Sequence, residues 1–136
     1  MAEKVPFAGP AWIEHARAIL TDLAQTHGEP GRTFSVCERF TDAPRDIFPN
    51  GIAAWHFRID GQAAHVAAGE IDDPDVTIRA DYQATLPTAR LVYTPEYLAK
   101  RAADRASGKG PAPSPGMAKA PPWLTELHNR LAVLTA

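Results

Sequence analysis

Apolar residues recur along this chain with two periods, and the changes between them divide it into elements. After Pro10, the residues Trp12, Ile13, Ala16, Ile19, Leu20 and Leu23 fall three and four apart, the spacing of one stripe on an α-helix. Pro10 suits the first helical turn, where a missing N–H leaves no bond unmade. Gly28, with Pro30 just beyond, predicts the stop, so a helix is expected over about 10–27. From Thr33 to Thr41 the period drops to two, with Phe34, Val36 and Phe40 at alternate positions. That pattern predicts a strand.

Two further extended runs, IAAWHFRI and QAAHVAAG, flank Asp60-Gly61, a strong hairpin signal. A two-residue type I′ loop at that dipeptide would place Ile59 opposite Gln62, Phe57 opposite Ala64, Trp55 opposite Val66 and His56 opposite His65. One face of the hairpin then carries Trp55, Phe57, Ile59, Ala64 and Val66 and reads as the core face. The other carries His56, Arg58 and His65.

The turn Asp72-Asp73-Pro74-Asp75 leads to a fourth strand, Val76 to Ala80. Asp81 is placed to cap a helix from about Tyr82, which Pro87 must kink or restart. Thr94-Pro95-Glu96 is a second start, with N-cap, N1 proline and an acid near the positive helix end. That helix is expected to reach about 107. A final amphipathic helix, about 121–134, carries Trp123, Leu124, Leu127, Leu131 and Leu134. The expectation is a single α+β domain over 1–136: a twisted, mostly antiparallel sheet of four to five strands over about 33–80, covered by helices.

Thirteen prolines in 136 residues change this picture at one place. Five lie in SGKGPAPSPGMAKAPP, where they forbid a continuous helix or a central strand. Residues 108–122 therefore read as a Pro/Gly-rich lid or connector between helices. Charge is uneven as well. Eight acids face three arginines between Asp42 and Asp81, whereas seven bases face three acids between Arg90 and Arg130. The basic third is either a solvated face or a site for an anionic group. A formal net charge of −2 gives no cationic field for generic nucleic-acid binding. The single cysteine, Cys37, excludes an internal disulfide and every Cys-based zinc module. No apolar run approaches the ~20 residues that span a bilayer, so no stable membrane insertion is expected. The first ten residues, MAEKVPFAGP, lack the apolar core of a signal peptide, which leads us to expect a cytoplasmic protein.

Chemical signatures are sparse. The Gly-Lys at 108–109 lacks the preceding strand and following Ser/Thr of a phosphate loop. Ser114 sits in Pro-Ser-Pro rather than in a nucleophile elbow. Neither a cofactor nor a metal is expected. His56 and His65, if paired across the hairpin, stand close enough to share a proton, and Glu38 is a third member if its strand has the right register. These three are the weak catalytic candidates. The alternative is an ordinary polar, solvated sheet face. The remaining candidates are apolar and aromatic: Trp55, Phe57, Leu91, Tyr93, Tyr97, Met117, Trp123 and Leu127. They are either core or the lining of a ligand pocket between helices and sheet.

The hairpin WHFRIDGQAAHVAAG, followed by DDPDVTIRADYQATLPTARLVYT and a terminal helix, resembles the sterol carrier protein 2 domain over about Phe34 to Leu134. The resemblance implies a five-stranded sheet covered by helices, with an apolar tunnel for sterols, fatty acids or acyl-CoA. One departure stands out: the family's fifth strand falls where this chain has GKGPAPSPGMAKAPP. The leading expectation is therefore non-catalytic binding or carriage of a hydrophobic small molecule. One alternative is a cofactor-free enzyme using His56 and His65. A second is an interaction module that contacts a partner chain or a second copy, as in a homodimer.

Overall fold

In the computed structural model, which describes residues 4–108 and 116–136, helix α1 spans Pro10–His27 with Pro10 in its first turn. Its stripe of Trp12, Ile13, Ala16, Leu20, Leu23 and Ala24 is buried and packs on strand β3 (Ala63–Ala68) and helix α4 (Leu124–Ala132). The helix ends at Gly28 as expected, but Gly28 has φ −65°. Glycine is required there by space instead of by a left-handed backbone. A Cβ on Gly28 would lie 2.1 Å from the Gly61 carbonyl oxygen and 2.4 Å from that of Ala24.

Strands β1 (Thr33–Thr41), β2 (Ala53–Asp60), β3 and β4 (Val76–Asp81) form one sheet in the order β3-β2-β1-β4. The pairs β1–β2 and β2–β3 are antiparallel and β1–β4 is parallel. After β3, the Gly69–Asp75 link carries the chain past β2 and β1 to the opposite edge. Ser35 and Asp75 fix that return: the Asp75 carboxylate accepts from the Ser35 N–H at 2.8 Å, and the Asp75 N–H donates to the Ser35 hydroxyl at 3.0 Å. The fold is α+β with four strands and four helices among the described residues.

The hairpin differs from expectation by two positions. Asp60 pairs with Ala63, Phe57 with Val66 and Trp55 with Ala68. The two-residue loop is therefore Gly61-Gln62, with φ +59° at Gly61 and no positive φ at Gln62. That combination is the pattern of a type II′ turn, which wants glycine first. Contacts outside the hairpin fix it: the Gly61 N–H donates to the Arg32 carbonyl at 2.8 Å, and the Gln62 amide donates to the Gln25 carbonyl at 3.2 Å. Because the shift is an even number of residues, Trp55, Phe57, Ile59 and Val66 stay on the core face. The His56–His65 pairing does not survive: His65 faces Arg58, and His56 faces Ala67.

Helix α2 (Tyr82–Ala89) starts on the Asp81 cap, whose carboxylate accepts from the Ala84 N–H at 2.8 Å, and it continues through Pro87. Helix α3 (Pro95–Ala106) starts on Thr94, whose hydroxyl accepts from the Tyr97 N–H. The two helix starts expected within about 82–107 are both present, and residues 90–94 join the two helices. The chain termini close the core. Val5 and Thr135 form a parallel bridge, and the Trp12 indole donates to the Thr135 hydroxyl at 3.1 Å. Helices lie over one sheet face. No described helix is long and apolar enough to cross a membrane.

Candidate functional site

Between the inner sheet face and helices α2, α3 and α4 lies a cavity of about 620 Å³. Its floor follows from strand alternation. Val36, Glu38 and Phe40 of β1 point the same way as Trp55 and Phe57 of β2 and as Ile78 and Ala80 of β4. Leu127 and Leu131 of α4 form one wall, with Phe7 and Trp12 behind it. Met117, on a single 3₁₀ turn (Met117–Lys119), and Ala120-Pro121-Pro122 form another. Gly116 sets that turn against β4: its φ is +86°, and a Cβ there would lie 2.0 Å from the Asp75 carbonyl oxygen.

The roof is α3, which contributes Leu98, Arg101, Ala102 and Arg105. Helix α3 buries none of its side chains, and it makes no packing with any other element comparable to that of α1 or α2. Its lining residues Leu98, Ala102 and Arg105 are exposed, so the cavity reaches solvent beneath it. The segment leading to α3 is held to α4 instead. The Asn129 side chain accepts from the Tyr93 N–H at 2.7 Å and donates to the Tyr93 carbonyl at 3.1 Å. His128 Nε2 meets the Leu91 carbonyl at 2.7 Å, and a carbonyl only accepts, so this nitrogen carries the proton. The Tyr93 ring stacks on His128 at 3.9 Å, and Arg101 lies 5.4 Å above the same ring.

Within this largely apolar surface one ionisable group stands apart from the mouth. Glu38 is half-buried and lines the cavity. Burial pushes its carboxyl up from 4.5 to about 7. The Trp55 indole N–H pulls the other way, from close by but outside hydrogen-bonding geometry, and this buried N–H has no partner among the described residues. No described side chain offers Glu38 a compensating positive charge. At the mouth, burial lowers His128 and raises Tyr93, with Arg101 lowering both.

Of the pocket residues expected from sequence, Trp55, Phe57, Tyr93, Met117 and Leu127 line the cavity. Leu91 is exposed and contributes its carbonyl to His128. Tyr97 stacks on Tyr93 at 5.2 Å outside the lining. Trp123 stacks on His27 and borders a separate cleft of about 90 Å³. His56 and His65 lie on the opposite sheet face. His56 Nδ1 contacts the Gly69 carbonyl at 2.9 Å, and His65 is exposed. The grouping of Glu38 with these histidines is corrected by parity: Cys37, not Glu38, is the residue of β1 that pairs with His56. Of the expected lid, 109–115 lies outside the described residues, and 116–122 borders the cavity. No group of three or more potential metal ligands occurs among the described residues.

Glu38 was legible as part of the lining, since it sits in phase with Phe34, Val36 and Phe40. Arg101, Arg105 and His128 had no comparable signal, because a helix presents them only once its rotation about the cavity is known. Comparison with protein-family models, curated proteins and solved structures returned no match to this chain.

Proposed function

We propose that this protein binds and carries a hydrophobic small molecule in the cavity between its sheet and helices α2–α4, without chemical conversion. The observation that carries the reading is the cavity itself. Its volume of about 620 Å³ falls within the ~300–1,000 Å³ of small-molecule sites, which are typically apolar with a few placed polar groups. The resemblance of residues 34–134 to the sterol carrier protein 2 domain supports the same reading, since it implies an apolar tunnel. The sheet here has four strands among the described residues, so the family's sterol preference does not carry over with it.

Energetics set a lower bound on the ligand. Each buried CH₂ contributes ~0.8 kcal/mol, against an association cost of ~4–15 kcal/mol. A chain of about ten carbons or a polycyclic body meets that requirement, whereas a metabolite of a few carbons does not.

The test is a cavity-filling substitution. Ala80 lines the cavity from β4 opposite Phe40, so Ala80→Trp occupies the ligand's space. Native mass spectrometry of detergent-free protein titrated with 1-decanol should show a bound species for wild type and for His65→Ala, and little or none for Ala80→Trp. Equal occupancy in a folded Ala80→Trp variant would place binding elsewhere.

A further inference from the structure

We propose that the cavity selects a lipophilic amine, seating its protonated nitrogen on the Glu38 carboxylate beneath an aromatic wall. The inference rests on the cavity being a ligand site and adds what the ligand must carry. Glu38 stands on the sheet floor between Val36 and Phe40 and lines the cavity. A half-buried carboxylate with no counter-charge, and with only an indole N–H outside hydrogen-bonding geometry beside it, is a costly arrangement for a fold to keep. The indole N–H beside it is also without a partner, so nothing in the described residues completes this polar locus.

An ammonium supplies both missing elements, N–H donors and positive charge, and charge-assisted hydrogen bonds are the strong ones. The rings of Phe40, Trp55 and Phe57 around it add the attraction of aromatic faces for a cation. A carboxylate ligand would bring a like charge to Glu38. An alcohol brings a donor but no charge.

Among the described residues, the other charged and titratable groups facing the cavity are Arg101 and Arg105 from α3, Tyr93 ahead of it, and His128 from α4. Strands β2 and β4 and helices α1 and α2 present only uncharged side chains there. Arg101 lies over Tyr93 and Tyr97 at the mouth. Burial keeps Tyr93 neutral and holds His128 below its ordinary range, so Glu38 is the group that changes charge near neutrality. The ammonium arrives protonated, and Glu38 gives its own proton to water as the ion pair forms. Binding therefore strengthens as pH rises toward and past about 7.

Calorimetric titration with decylamine and decanoate below their micellar concentrations, and with 1-decanol below its solubility limit, tests this on wild type and Glu38→Gln. At about pH 8 decylamine should bind wild type roughly tenfold tighter than decanol, the margin of a charge-assisted over a neutral hydrogen bond. The margin should narrow toward about pH 6 and vanish in Glu38→Gln, which keeps its decanol affinity. Equal binding of amine and alcohol by wild type overturns the proposal and leaves the cavity reading standing. So does an amine preference that persists in Glu38→Gln. If none of the three probes binds, both readings fall together.

Discussion

Along β1 the inward positions read Phe34, Val36, Glu38 and Phe40, so an ionisable group occupies a place the alternation reserves for an apolar one. The protonated form fits that place better than the charged one, which gives a stability prediction of definite sign. Glu38 has an ordinary value of 4.5 and is pushed up to about 7 in the folded protein. Its contribution is complete below about 4.5 and is lost as pH rises through about 7. At ~1.4 kcal/mol per pH unit, the loss is on the order of 3 kcal/mol. Glu38→Gln should therefore be more stable than wild type by an amount of that order above neutrality, with little difference at about pH 4.5. Denaturant melts across that range check it, and parallel curves for the two proteins would contradict the placement of Glu38.

Gly28 carries a second residue-scale prediction. Its backbone is available to any residue, but the Gly61 carbonyl occupies the space of a Cβ. Gly28→Ala should cost about 3 kcal/mol or more through forced backbone movement. An unchanged Tm would show that the α1–hairpin contact is looser than described. Sequence pattern placed this glycine at the helix end but could not show why glycine is needed there, because close approach is a tertiary fact.

At the scale of elements, local rules worked where the determinants were local. The N-terminal proline of α1 and the caps Asp81 and Thr94 set helix starts that the structure keeps. The hairpin loop was displaced to Gly61-Gln62 because Arg32 and Gln25, remote in sequence, hold it there. The faces of β2 and β3 were legible all the same, since side-chain alternation is indifferent to a shift of two. Among the described residues, α3 is the α-helix least tied to the rest: it buries no side chain, and its leading segment is held through Tyr93 by Asn129. Its amides should exchange with solvent faster than those of α1 and slow when decanol is added. Exchange in α3 as slow as in α1 without ligand would contradict its description as a loosely held roof. Asn129→Ala should cost about 1–2 kcal/mol for two lost hydrogen bonds and speed α3 exchange further, with α1 unaffected.

For the whole molecule, the α+β class was readable from the order of patterns, and the sheet order was not. The parallel β1–β4 pair joins segments some forty residues apart, fixed by Ser35 and Asp75, and no local pattern announces such a pairing. The cavity is of the same kind. It exists because α2, α3 and α4 leave the inner face of β1 and β4 incompletely covered, which is a property of their arrangement. The sequence supplied several lining residues, Trp55, Phe57 and Tyr93 among them, but also Leu91, Tyr97 and Trp123, which have apolar character without the right position.

A carrier role for the cavity requires that an apolar molecule enter that space. The most direct measurement is an amide NMR titration of isotope-labelled protein with 1-decanol. Saturable shifts are predicted at Val36, Glu38, Ile78 and Leu127, which line the cavity, with His65 and Arg79 on the outer sheet face unmoved. Shifts confined to that outer face, or none at saturating decanol, would contradict it.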